Sequence, residues 1–212
     1  MWIAKKILNK FLSFLFPVKC FTCGTGEIVL CENCLKDFSK AVDTPFIWVY
    51  VNYSFKDERL KRIIHAIKYY HRRDLITPLV SGVITKRFRE HLAQFNNPIL
   101  IPIPMSTLRF YKRGYNHSQL IAEEFSKQLN IPVYTDILIK TEIVKQQSKL
   151  RSRKDRLNNT KNTFGIINKD DVLDKHIILI DDVTTTGSTL LSARKTLEKA
   201  DFKNISAICI AH

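Results

Sequence analysis

The run Ile177-Ile178-Leu179-Ile180, followed at once by Asp181-Asp182-Val183-Thr184-Thr185-Thr186-Gly187-Ser188-Thr189, constrains this chain more than any other feature. Four branched apolar residues bounded by polar ones read as a strand buried on both faces, the kind found in parallel sheets. The small, hydroxyl-bearing residues that follow allow a tight turn into a helix over 188–200. The first amides and the positive dipole end of such a helix suit a phosphate dianion. Gly187 permits positive φ or a close backbone approach. The carboxylates of Asp181 and Asp182 can accept hydrogen bonds from vicinal hydroxyls, so the loop has the parts of a combined phosphate and sugar reader. A P-loop is excluded because the Gly-x-x-x-x-Gly-Lys-Ser/Thr lysine is missing. Plain helix capping needs only one such residue, not nine in order.

Two further apolar runs, 99–103 and 205–210, read as companion strands. The first leads through a polar loop into a helical pattern over 116–129, so strand, loop and helix repeat as in an α/β sheet. Ligands in such sheets bind beyond the carboxyl ends of the strands. Arg109, Lys112 and Arg113 fall in the loop after Ile101-Pro102-Ile103-Pro104. Clustered guanidinium groups there suit a pyrophosphate. Upstream, 46–53 reads as a strand, and 57–71 and 75–92 as two helices. Between Arg59 and His91 there are nine Lys or Arg against two acids, Asp74 and Glu90.

Charge bears on partners. The 212 residues carry 34 Lys plus Arg against 20 Asp plus Glu, a formal +14 and a pI near 9.6. A polyanion, nucleic acid first, is the partner this favours, although a solvated basic surface has the same composition. Residues 140–161 concentrate the charge, with eight Lys or Arg against Glu142 and Asp155. Few apolar residues follow Leu150 there, and the segment reads as a loop able to cover a reacting centre or to meet DNA phosphates through Lys149, Arg151, Arg153, Lys154 and Arg156.

Four of the five cysteines form C-x2-C-x7-C-x2-C at Cys20, Cys23, Cys31 and Cys34. Two such knuckles bring four thiolates around one metal ion. Zinc is the usual occupant, iron the alternative. A closed four-thiolate shell leaves no catalytic position, so the metal is expected to be structural and to fold a segment too short for its own core. Paired cysteines of this kind indicate a reducing, cytoplasmic compartment. Cys209, inside the last apolar run, reads as a small buried residue. The composition shift near residues 40–45 divides the chain into an amphipathic helix (1–18), a four-cysteine zinc-binding module (19–42) and an α/β domain (43–212). Lysines interrupt the apolar N-terminal stretch, which excludes a signal peptide and a membrane span. Packing on the protein and lying on a membrane surface both suit its pattern.

The loop Asp181–Thr189 resembles the phosphoribosyl-pyrophosphate signature of type I phosphoribosyltransferases. With Pro102-x-Pro104, Arg109, Arg113-Gly114-Tyr115-Asn116, Phe16-Pro17, Lys68, Gln147, Leu150, Arg156, Asn159 and Phe164 in order, the chain resembles the ComF competence proteins of that superfamily. His117 departs from the family's usual Gln, and one extra residue lies between Leu150 and Arg156. The resemblance implies a parallel sheet flanked by helices, with a small N-terminal zinc ribbon built on the four cysteines. It also implies 5-phosphoribosyl-1-pyrophosphate held with Mg²⁺ by 181–189, with Asp181 and Asp182 as the catalytic pair and Arg109 and Arg113 in the pyrophosphate loop. By the same resemblance the chain handles single-stranded DNA in natural transformation, in the cytoplasm or peripherally at the inner membrane, in contact with the uptake machinery there. An active transferase of nucleotide salvage or nucleic-acid metabolism is the alternative, though no segment reads a particular base. A zinc-ribbon DNA binder with a vestigial sugar loop would have lost the signature, which is intact.

Overall fold

The computed structural model describes residues 17–41, 46–140, 164–169 and 172–212. In chain order the elements are α1 (Glu32–Asp37), β1 (Val49–Tyr53), α2 (Glu58–Tyr69), a 3₁₀ turn (Arg73–Leu75), α3 (Ile76–Val83), α4 (Lys86–Leu92) and β2 (Pro98–Pro102). They continue with α5 (Thr107–Arg113), α6 (His117–Leu129), β3 (Leu138–Lys140), β4 (Phe164–Ile166), β5 (His176–Val183), α7 (Ser188–Glu198) and β6 (Ile205–Ala211). The expected N-terminal helix and the basic loop with Lys149, Arg151, Arg153, Lys154 and Arg156 lie outside the described residues.

β1, β6, β5 and β2 form a four-stranded sheet in that order, all parallel, with Ile101 opposite Leu179 and Leu179 opposite Ala207. Alternate residues of each strand enter two different cores. Leu100, Ile178, Ile180, Ile208 and Ile210 pack with α2, α3, α4 and α6. Ile99, Ile101, Ile177, Leu179, Ala207 and Cys209 pack on the other face with Leu190, Ala193 and Leu197 of α7. Burial on both faces is why these strands read as unbroken apolar runs rather than alternating ones. The four-cysteine segment is not a separate body: Cys20, Leu30, Cys34, Leu35 and Phe38 join the first core.

Local chemistry explains the boundaries. Asp57 caps α2 by accepting from the Arg59 amide at 3.0 Å, and Asn116 caps α6 by accepting from the Ser118 amide at 3.1 Å. The single helix expected over 75–92 is broken at Ile84 and Thr85. Thr85 takes an extended backbone and accepts from the Phe88 amide at 3.2 Å, starting α4 afresh. The arginine loop after β2 is in fact the short helix α5, ended by Gly114 at φ 74°. β5 runs past the expected 180 to Val183 because Asp181 and Val183 still pair with Cys209 and Ala211 of β6. The acidic pair is therefore part of a strand, held more stiffly than a loop would hold it. The antiparallel pair β3–β4 has no counterpart in the sequence pattern.

Candidate functional site

The carboxyl ends of β2 and β5 open onto a cavity of about 390 Å³. Of the acidic-Thr loop, Asp181, Asp182, Val183 and Thr189 line it. Thr185, Thr186 and Ser188 are exposed, whereas Thr184 is buried. The Thr184 amide donates to the Ala211 carbonyl at 3.0 Å and its carbonyl lies 3.0 Å from His212 Nδ1, so Thr184 ties the loop to β6. The Thr186 hydroxyl accepts from the Ser188 amide at 3.4 Å at the start of α7. Gly187 sits at φ 70°, and a Cβ there would overlap the Phe46 ring. No other residue fits at that position without moving the ring or the loop.

Opposite the loop, Arg109 and Arg113 of α5 line the same cavity, joined by Lys68 from α2 and Lys140 from β3. Because β2 pairs directly with β5, the two polar segments do face one another across one site. Burial and the neighbouring Arg109 charge lower the Lys140 pKa, partly offset by Asp181. The polar contacts are sharply divided between the two carboxylates. Asp181 Oδ1 accepts from the Ser118 hydroxyl at 2.8 Å and from the Asp182 amide at 3.0 Å. Asp182 Oδ2 is in contact with the Lys68 ammonium, and its Oδ1 lies 3.4 Å from His117 Nε2. The His117 Nδ1 faces an Arg113 N–H at 3.4 Å. The imidazole thus lies between the Arg113 guanidinium and the Asp182 carboxylate, with one ring nitrogen toward each.

These contacts separate the two acids electrostatically. Burial, then the negative charge of Asp182, pushes Asp181 up to about 7. Burial opposes ionisation of Asp182 too, but the His117 hydrogen bond and the charges of His117 and Lys68 outweigh it and hold its carboxyl well below the usual range. The two neighbouring carboxylates are thus shifted in opposite directions, Asp181 up and Asp182 down. Lys68, His117 and Ser118 are the residues that motif reading did not assign to this pair; Lys68 entered it only as a position of the ComF pattern. Asn116 contributes by donating to the Ile103 carbonyl at 3.0 Å, fixing α6 against the end of β2.

Towards the N-terminus, Cys20, Cys23, Cys31 and Cys34 converge, all four sulfurs within 4.8 Å of one another. The Cys20–Cys34 and Cys23–Cys31 sulfur separations are 3.9 Å each. Tetrahedral zinc with bonds of about 2.3 Å requires edges of about 3.8 Å, so the cluster fits one such ion. Burial disfavours the Cys20 thiolate, yet backbone N–H groups of Cys23, Cys31 and Thr22 bring that thiol down to about 6. Cys209 is fully buried and its thiol is pushed well up, consistent with a packing residue.

A doubly covered parallel sheet, with an acidic strand end facing basic groups across a cleft, is matched by a family model described as "Phosphoribosyl transferase domain" over residues 68–212, and the chain belongs to that family. Within it, the chain is 32% identical over 180 residues to Competence protein F of Haemophilus influenzae, covering 82% of this chain and 75% of that protein. It is 25% identical over 153 residues to DNA utilization protein YhgH of Escherichia coli O157:H7, covering 71% of this chain and 66% of the relative. Competence protein ComFC of Streptococcus pneumoniae is 29% identical over 132 residues, 62% of this chain and 56% of its own length. The ComF character read from the sequence is borne out. Among the described residues no helix is long and apolar enough to cross a membrane.

Proposed function

We propose that the cavity binds 5-phosphoribosyl-1-pyrophosphate with Mg²⁺, and that the chain serves DNA uptake by handling single-stranded DNA on the cytoplasmic side of the inner membrane. The observation that carries the reading is the single cavity lined by Asp181, Asp182 and Thr189 on one side and by Arg109, Arg113, Lys68 and Lys140 on the other. That arrangement offers acceptors to a ribose diol and cations to a pyrophosphate. Mg²⁺ suits the donor set, since it favours carboxylate and phosphate oxygens. Asp181, whose described hydrogen bonds both end on Oδ1, is the carboxylate with an oxygen to spare for it. When bound, the ion would neutralise pyrophosphate charge. The relatives' names supply the DNA-uptake part, and the +14 charge agrees with a nucleic-acid partner.

A second reading, transfer of the phosphoribosyl group, is favoured by the basic groups gathered where pyrophosphate would depart. A nitrogen nucleophile would form the new bond to the anomeric carbon and release its proton, while the anomeric C–O bond breaks and pyrophosphate leaves with the electron pair. Calorimetric titration with phosphoribosyl pyrophosphate and Mg²⁺ should give saturable binding that is lost in Asp181→Ala plus Asp182→Ala; absence of binding to the wild-type chain defeats the proposal. Pyrophosphate release that depends on one added nucleobase decides for the transferase. Single-stranded DNA affinity that falls steeply with salt supports the DNA role.

The ion of the four-cysteine cluster is proposed to be zinc, held by Cys20, Cys23, Cys31 and Cys34. Because Cys20 and Cys34 lie in the main core, its removal should destabilise the body of the protein as well as the knuckles. Elemental analysis should find one zinc per chain, and a strong chelator should lower the melting temperature. An iron content, or a melt indifferent to chelation, refutes this assignment.

A further inference from the structure

A second cavity, of about 580 Å³, lies behind α2 and is distinct in character from the first. We propose that it receives an unpaired nucleobase of a single strand, with Tyr70, Tyr69 and His65 as the stacking surface. The inference rests on the reading that this chain handles single-stranded DNA and gives that reading a location. Phe21 and Phe55 close the apolar side, Lys61, Arg62 and Lys68 lie at the margin, and of these three Arg62 supplies charge not already paired with a carboxylate among the described residues.

Three observations converge. Tyr69 and Tyr70 are 53% and 68% exposed, unusual for two consecutive large aromatics with a packed core close by. His65 lies 4.6 Å from the Tyr69 ring and 5.5 Å from the Tyr70 ring, tilted by 42° and 60°, so the three rings form one aromatic cluster that offers faces in different directions. Flat π faces beside a cationic track are what sequence-tolerant binding of single strands requires. An aliphatic partner helix would need no such rings, and an acidic peptide would need no stacking surface. The charge is also available: Arg62 has no acidic partner among the described residues, whereas Lys61 is paired with Glu58 at 2.6 Å.

The two cavities are physically joined. Lys68 lines both. The Arg113 guanidinium lies 4.8 Å over the Tyr69 ring and donates to its hydroxyl at 3.0 Å, while also lining the first cavity. A strand whose base enters the aromatic cavity would therefore carry its phosphate toward Arg113, the Lys68 ammonium being held by Asp182.

The test is fluorescence anisotropy with the full chain and a labelled oligothymidylate, compared with an abasic oligonucleotide of the same length. Tyr70→Ala should weaken oligothymidylate binding about 5-fold or more, since stacking of one base is worth at least about 1 kcal/mol. Tyr70→Phe should stay within about 2-fold, because it keeps the ring. The abasic strand should bind more weakly and be indifferent to Tyr70→Ala. Thermal melts of the variants establish that the exposed substitutions leave the fold intact. Equal affinity of wild type and Tyr70→Ala, or an abasic strand binding as tightly as oligothymidylate, overturns the proposal while leaving DNA binding standing. If the wild-type chain binds neither strand at low salt, the DNA reading falls and this site with it.

Discussion

Replacing Lys68 by Met keeps the length and the apolar stem of the side chain but removes the ammonium beside Asp182. The two side chains are only 21% and 8% exposed, so the pair lies mostly out of water. Unit charges about 4 Å apart at an effective dielectric near 20 attract by about 4 kcal/mol, and removing one member of a buried pair costs roughly 3–5 kcal/mol. Lys68 keeps some contact with water, and His117 remains 3.4 Å from Asp182. These reduce the expected loss to about 2–3 kcal/mol, or about 4–12 °C in melting temperature for a chain of this size. The measurement is urea unfolding of wild type, Lys68→Met, Asp182→Asn and the double variant at neutral pH. With Asn at 182 the lysine has no anion to balance, so the double variant should recover at least about 1.5 kcal/mol relative to the summed single losses. Additivity to within about 0.5 kcal/mol would refute the claim that Lys68 keeps this carboxylate ionised inside the protein.

Asp181 gives a pH signature of opposite kind. Its folded pKa is raised from 3.8 to about 7 by burial and by Asp182, so the protein's advantage is complete at low pH and is lost as pH rises through about 7. Asp181→Asn, which mimics the protonated acid, should match wild type near pH 4 and become progressively the more stable of the two up to about pH 7, the gap then levelling off. A gap that does not change with pH contradicts this. Gly187→Ala should cost about 2–4 kcal/mol, from positive φ and from overlap with the Phe46 ring, and should weaken phosphoribosyl pyrophosphate binding as well. A loss under about 0.5 kcal/mol would mean that the loop yields freely.

The strands were legible because burial on both faces leaves an unbroken apolar run, which needs no partner to be recognised. The acidic-Thr loop was legible for a related reason, since its chemistry is contiguous. What could not be read was anything that depends on distance in space. Lys68 and Asp182 are far apart in sequence, and only the packing of α2 beside β5 brings them together. The break at Thr85 carried a visible capping residue, but the helical periodicity on both sides of it concealed the interruption. α5 has no buried residue, so no apolar stripe announced it and its arginines read as loop. β3 and β4 are three residues each, too short for alternation to register.

The strand order also dictates when the protein can become itself. β6 is the last described strand to leave the ribosome, yet it lies between β1 and β5, and β1 has no other strand beside it in the sheet. During synthesis β1 must wait, with its edge unsatisfied, until residues 205–211 emerge. β5 can pair with β2 before that moment, but the carboxyl-edge cleft cannot be closed, because Thr184 is anchored to Ala211. A nascent chain stalled before β6 would therefore be an intermediate with an exposed parallel edge, a species for which chaperone capture and misassembly compete.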